Sequence, residues 1–269
     1  MYCTGGICLL SIVKATITGK YSQKIAFSLD RFDTVRQSTV SISSRSTLHT
    51  STTMHVYQYL LALFAGYCTI AVASTELPSA KVEFRTTAGN LIINVYKTWA
   101  PIGAERFLEL VHDGFYTDIA FFRCVEGFLT QFGLTDNPEK KHWHYEEIED
   151  DPNLHMGIQK NYLSFAGGGP NTRSTQLFIA FEYLDFLGNE PWETPFGVVS
   201  AEGQQVLDSL YKGYGEMTPF NENGIDQQKI QNYGNSYVRD NFPETSFLIS
   251  ARIIEVEGVP VPASQQSEL

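Results

Sequence analysis

Two segments of this sequence set one guanidinium and a few amides among aromatic and aliphatic side chains. The first reads Phe121-Phe122-Arg123-Cys124-Val125-Glu126-Gly127-Phe128-Leu129-Thr130-Gln131. The second reads Ser164-Phe165-Ala166-Gly167-Gly168-Gly169-Pro170-Asn171-Thr172-Arg173-Ser174-Thr175-Gln176-Leu177-Phe178-Ile179. Neither holds a Ser/His/Asp or Cys/His set able to make and break a covalent bond. A fixed cation, amide donors and an apolar surface suit a site that grips a peptide and rearranges it intact.

Other candidate chemistry is weaker. Gly167-Gly168-Gly169 lacks the Gly-Lys-Ser/Thr continuation of a phosphate loop, and Pro170 follows, so it reads as a tight peptide-binding turn. His142-Trp143-His144 with Glu146 and Glu147 has ligand types for a metal. Nothing else supports one, and a solvated loop is expected. Cys124 reads as a small buried hydrophobe on a strand. Cys3, Cys8 and Cys68 all lie near the front of the chain, so a processed protein keeps no disulfide framework.

These segments need a scaffold. Residues 82–85 and 91–96 read as strands joined by a turn at 87–90. Pro101 opens a helix whose apolar side is Ala104, Phe107, Leu108 and Val111, and Gly114 stops it. Short strands follow at 121–125, 128–132, 163–165, 177–181 and 196–199. A second helix fits 204–212, with Val206, Leu207, Leu210 and Tyr211 inward, and a closing strand runs over 247–256. Many short strands with two helices imply a mainly β fold, a closed or nearly closed antiparallel barrel. Residues 81–257 read as one domain, and 258–269 as a polar tail whose terminal Glu-Leu is a frayed end. The long stretches 134–159 and 213–243 exceed what such a barrel needs. Their aromatics Trp143, Tyr145, Phe220, Tyr233, Tyr237 and Phe242 suggest packing onto the body.

The formal net charge is −11 at pH 7. An acidic body argues against nucleic acid, whose binding draws on Lys and Arg facing phosphates, and against anionic membranes. Residues 1–53 differ, being Ser/Thr-rich and poor in acids; they read as an extension, disordered or an artefact of the gene model. The apolar run within 54–73 ends in small residues at Ala71 and Ala73 and matches a secretory signal cleaved after Ala73. Met54 then becomes an alternative start to Met1. The competing readings are a short membrane anchor, since the run sits at the lower edge of the spanning range, and organelle targeting through the extension.

The two opening segments resemble the cyclophilin-type peptidyl-prolyl cis–trans isomerases over about residues 81–257. Phe121-x-Arg123, Gly127-Phe128-Leu129-x-Gln131 and Ala166-Gly167-Gly168-Gly169-Pro170-Asn171-Thr172-x-x-x-Gln176-Leu177-Phe178 carry the likeness. Pro195-Phe196-Gly197-Val198-Val199 fits the strand before the family's second helix, and Gly213-Tyr214-Gly215-Glu216 resembles a divergent long-insertion branch. The resemblance implies a closed eight-stranded antiparallel barrel with two capping helices and acceleration of X–Pro rotation. It implies Arg123 as catalytic residue, and Phe128, Leu129 and Phe178 as the cup for the prolyl ring. Gln131 and Gln176, with backbone near Ala166 and Gly167, would anchor the peptide. Proline-containing peptides or unfolded proteins are the implied partners of a monomer, and no cofactor or metal is implied.

The chemistry is consistent with that role. A rotating X–Pro amide loses resonance, and its nitrogen becomes pyramidal and gains a lone pair. A donor aimed there stabilises the twisted state more than the planar one, and a guanidinium keeps its charge across physiological pH.

Three departures stand out. Leu129 replaces a common Met, a near-isosteric change. Ala166-Gly167-Gly168 replaces the family's Ala-Asn-Ala turn. Within residues 184–195, Gly188 falls where the family commonly has Trp and Glu193 where it has His. Trp192 either lines the pocket from another place or packs on the surface. The resemblance then implies weak cyclosporin binding and room for an alternative role, a proline-peptide-binding or chaperone module with little turnover.

Overall fold

The computed structural model describes residues 24–27, 38–41 and 76–262. The chain divides into two compact units, Met1–Ser74 and Thr75–Leu269. In the first, β1 (Lys24–Phe27) pairs antiparallel with β2 (Ser38–Ser41). The signal or anchor run at 54–73 lies outside the described residues, as does the end of the tail. No described helix is long and apolar enough to cross a membrane.

The second unit is built on β3 (Ala80–Thr86) and β4 (Gly89–Val95), a hairpin. Its alternation is plain in β3, where Ala80, Val82 and Phe84 turn into the core as the two-residue side-chain period requires. Helix α1 (Pro101–His112) starts at Pro101 and buries Ala104, Phe107, Leu110 and Val111. Its N-cap, Ala100, makes no side-chain bond to the helix. The next strands are β5 (Ile119–Ala120), β6 (Arg123–Cys124), β7 (Leu129–Phe132), β8 (Tyr162–Phe165), β9 (Leu177–Ala180) and β10 (Gly197–Val199). Helix α2 (Gln204–Ser209) precedes α3 (Gln227–Tyr233) and α4 (Asn235–Asn241), and β11 (Phe247–Val256) and β12 (Val259–Pro260) close the unit.

All ladders are antiparallel, and the strand order is β12-β11-β3-β4-β10-β8-β9-β7-β6, with β5 on β11 outside that path. The fold is therefore a curled, mainly β sheet with a few helices, as expected in class. The ladder itself is an open path, not a closed ring of eight strands. The reason lies at 121–125, expected as one strand. Only Arg123–Cys124 of it forms a strand, β6, while β5 lies just before it and Phe121 and Phe122 between them belong to neither.

Two further expectations change. Four α-helices occur among the described residues, because 213–243 forms α3 and α4. Asp226 caps α3 by accepting from the Gln228 and Lys229 N–H groups. A small core of Leu134, Ile225, Ile230, Val238 and Phe247 holds this insertion against β5 and β11. Helix α2 is shorter than expected; Leu207 and Leu210 are buried, but Tyr211 lies past its end and is exposed. Trp143, Tyr237 and Phe242 pack onto the body, whereas Tyr145, Phe220 and Tyr233 are exposed.

Candidate active site

Strands β7, β8 and β9 carry apolar side chains on both faces. Phe132, Leu177, Ile179, Leu163 and Phe165 point into the main core. The alternate positions Leu129, Phe178 and Ala180 form a separate cluster with Ile158 and Leu184, and Phe128, Tyr162, Ala166 and Leu187 pack against it. Burying one such side chain contributes roughly 1.5–3 kcal/mol. An apolar cup behind a packed wall thus follows from two-residue alternation in which neither face is polar.

Register lines the polar groups up beside this cup. Arg123 pairs with Gln131 across β6 and β7, and Gln131 with Phe178 across β7 and β9; directly opposed residues share a face. Arg123 Nη1 donates to Gln131 Oε1 at 3.1 Å, and Gln131 Nε2 donates to Gln176 Oε1 at 2.9 Å. The guanidinium lies 5.2 Å from the centroid of the Phe128 ring, an attraction of about 0.5–1 kcal/mol where partly exposed. The Ala166 N–H donates to the Gln176 carbonyl at 2.9 Å, tying the glycine turn to β9.

The second insertion adds a carboxylate. Arg123 Nη2 donates to Glu216 Oε2 at 2.9 Å, and Nε lies 2.5 Å from Oε1, off the direction of a hydrogen bond. The Cys124 N–H donates to the Gly215 carbonyl at 3.1 Å, so the strand residue beside Arg123 holds the turn that carries Glu216.

Behind the glycine turn sits Arg173, fully buried. Its Nη1 donates to Asp151 Oδ2 at 2.8 Å, and Nη2 donates to the Glu149 carbonyl. Asp151 also accepts the Ile102 and Gly103 N–H groups at 2.7 and 2.8 Å. It thereby supplies the cap that Ala100 cannot give α1. A Cβ on Gly167 would stand 3.3 Å from Arg173 Cγ and from Trp192 Cβ and Cδ1. That closeness locates Trp192: it leans on the glycine turn and is not part of the apolar cluster.

The departure at 184–195 has a structural cause. Glu193 Oε2 accepts the N–H groups of Gly188, Asn189 and Glu190 at 2.8, 3.1 and 3.3 Å, folding its carboxylate into its own loop. Gly188 has φ +85°, and a Cβ there would stand 2.8 Å from Gly157 Cα, so a Trp does not fit. Phe186 instead lies tilted beside Phe128, with ring centroids 5.7 Å apart, and is itself exposed.

The remaining candidates resolve differently. Cys124 is buried, and burial pushes its thiol up to about 11, which removes the reactive thiolate. The His142-Trp143-His144 stretch is a turn of 3-10 helix. Its expected solvation holds for His142 alone. Trp143 donates to Asp113 Oδ2 at 2.7 Å, and half-buried His144 packs on the edge of Phe115. Among the described residues no group of His, Cys, Asp and Glu could hold a metal ion.

The structure therefore gathers Arg123, Phe128, Leu129, Gln131, Gln176 and Phe178, with Ala166 and Gly167 at one rim and Trp192 behind the turn. Glu216, Phe186, Asp151 and Arg173 join the surroundings; Arg173 and Glu216 stand inside the segments spelled out above, but no sequence signal assigned any of the four a role at the site. Asp226 ahead of Gln227 does mark a helix start within 213–243.

Residues 81–235 match the model of the cyclophilin type peptidyl-prolyl cis-trans isomerase/CLD family. A peptidyl-prolyl cis-trans isomerase of Helicobacter pylori strain J99 is 33% identical over 141 residues, which are 50% of this chain and 83% of that protein. The peptidyl-prolyl cis-trans isomerase-like 1 of Aspergillus fumigatus is 29% identical over 160 residues, 57% of this chain and 96% of its own. A crystal structure of a Cryptosporidium parvum cyclophilin-type isomerase aligns with a TM-score of 0.47 at 18% identity, covering 65% of this chain and 98% of that one. On the family match, which spans more than half of its length, this chain belongs to the cyclophilin-type peptidyl-prolyl cis–trans isomerases.

Proposed function

We propose that the chain accelerates X–Pro rotation in folding or client proteins, with Arg123 stabilising the twisted amide. The observation that carries this reading is the row Arg123–Gln131–Phe178 at the edge of the apolar cluster. Phe128, Leu129 and Phe178 hold the prolyl ring by burying it. Gln131 and Gln176, with backbone groups at Ala166 and Gly167, hold the peptide on either side of the bond. Arg123 then donates to the prolyl nitrogen as it becomes pyramidal, an interaction absent from the planar ground state. The uncatalysed barrier is about 18–20 kcal/mol, and the cup and donor act on that barrier alone, with no bond made or broken.

A closed barrel would stiffen the wall under this cup. We read β5 and β6 as one bent strand that closes it. The support is that β5 bonds to β11 and β6 to β7 with only Phe121 and Phe122 between them, and that the Phe121 N–H donates to the Ser246 carbonyl at 3.0 Å. Slow exchange of that amide would agree; exchange as fast as in the exposed loops would not.

One observation favours a second reading, a proline-peptide-binding module with little turnover. Gly188 and Glu193 leave the wall without the family's Trp and His, and their folded loop closes that space. The same change supports weak cyclosporin affinity. The site acts outside the cytosol in this proposal, delivered by the run at 54–73. NMR exchange on an Ala-Pro peptide with residues 76–262 separates the two functions. Accelerated cis–trans exchange supports the isomerase, whereas saturable binding without acceleration supports the module. N-terminal sequencing of the native protein tests delivery, a start near Ser74 agreeing and an intact Met1 disagreeing.

A further inference from the structure

We propose that Glu216, brought by the 213–243 insertion, is a positioning residue that fixes the guanidinium of Arg123 for rotation of the prolyl bond; it rests on the catalytic reading of Arg123 given above. An arginine side chain reaches its site through a long flexible stem, so aiming its fork requires partners on more than one edge. Here the Nε–Nη2 edge faces the Glu216 carboxylate, at 2.5 and 2.9 Å. Nη1 is held by Gln131 at 3.1 Å, and the face lies against Phe128. Among the described residues this leaves one N–H on each Nη uncommitted, the two groups able to meet a peptide.

Glu216 is itself held. Its Oε1 accepts the Met217 N–H at 3.1 Å. The preceding Gly215 accepts from Cys124 through its carbonyl, and its N–H donates to Lys212. The insertion is thus bonded to the strand residue next to Arg123, and the carboxylate cannot drift independently of the arginine it holds. One hydrogen bond at Nη2, with the second carboxylate oxygen close to Nε, ties that edge of the guanidinium to Glu216. The carboxylate also offsets part of the positive charge offered to the prolyl nitrogen, so two opposite outcomes can be distinguished. A positioning role makes removal of Glu216 slow the reaction, and a quenching role makes removal speed it.

The test compares wild type, Glu216→Gln and Glu216→Ala, each with Arg123 intact and in an Arg123→Lys background, on an Ala-Pro peptide. With Arg123 intact, Glu216→Ala is expected to lower kcat roughly tenfold with KM changed less than about twofold, because geometry is lost and the peptide's apolar grip is not. Glu216→Gln retains an acceptor and is expected to lose roughly threefold. In the Arg123→Lys background the Glu216→Ala effect shrinks below about twofold, since lysine has no fork to align. An unchanged or raised kcat in folded Glu216→Ala overturns the proposal, as does an undiminished loss in the lysine background. The 15N-resolved Nη2–H signal of Arg123, the group that donates to Glu216, supplies a second readout. Slow exchange in wild type that becomes fast in Glu216→Ala supports positioning, and equal exchange in both overturns it. If wild type shows no turnover while this signal still depends on Glu216, the catalytic assignment of Arg123 fails and the positioning contact stands.

Discussion

Each of the two long insertions meets one arginine with acid, Asp150 and Asp151 on Arg173 and Glu216 on Arg123, and the two arrangements are built for different ends. Asp151, from 134–159, meets Arg173 with both side chains fully buried. Glu216, from 213–243, meets Arg123 with 26% and 16% of the side chains exposed. Asp151 also satisfies two N–H groups at the start of α1, so its pair fastens an insertion, a helix and the glycine turn together. Glu216 instead leaves part of its arginine free beside an apolar cup. Full burial makes a fastening that nothing else can reach, whereas partial exposure leaves a cation available to a ligand.

The largest effect should come from breaking the buried pair. Asp151→Ala leaves the α1 N–H groups without their acceptor and Arg173 with only the more distant Asp150 carboxylate at 3.4 Å, and should cost about 3 kcal/mol of unfolding free energy. A urea titration reads this, and a loss below about 1 kcal/mol would remove the distinction between the two insertions. Next comes the glycine turn. Gly167→Ala places its Cβ at 3.3 Å from Trp192 and Arg173, an overpacking worth about 1–3 kcal/mol. Adding Trp192→Ala should recover part of that loss; strict additivity in the double variant would show that Trp192 does not crowd the turn.

The partly exposed pair should matter less to stability than to rate. Glu216→Ala should shift unfolding by no more than about 1 kcal/mol, measured on the same titration as Asp151→Ala. A shift equal to that of Asp151→Ala would make the two pairs equivalent fastenings. The smallest effect concerns His144 in the first insertion. Burial holds its pKa below 6.5, so the folded state favours the neutral ring. Stability from this group is full above pH 6.5 and falls as pH drops through the lower folded value, because the unfolded chain binds the proton first. The ring sits between Thr175 Oγ1 at 2.8 Å and the Thr135 N–H at 3.4 Å. His144→Asn should flatten the slope of stability below pH 6.5; an unchanged slope would show that another group carries it.

The strands were legible in the sequence because period-two alternation acts locally, whereas the cup was implied by the family resemblance. Leu129 with Gln131, and Gln176 with Phe178, share a face by spacing alone. The motif joined those faces through the family's known architecture. What stayed hidden depends on long-range contacts without a period. Arg173 and Asp151 lie 22 residues apart and Arg123 and Glu216 lie 93 apart, and no local pattern pairs them. The same holds for Trp192, whose neighbour Gly167 is set by how the 184–195 loop folds around Glu193. The break between β5 and β6 was also unreadable, since Phe121 and Phe122 have the composition of a strand.

The central claim is that Arg123 acts on the prolyl nitrogen from the edge of the Phe128–Leu129–Phe178 cup. Cis–trans exchange of an Ala-Pro peptide, followed by NMR with wild type and Arg123→Ala at matched occupancy, tests it most directly. The account predicts clear acceleration by wild type and a loss of about 100-fold or more in the variant, the scale of removing one aimed donor, with peptide binding retained. Equal acceleration by the two proteins would contradict it.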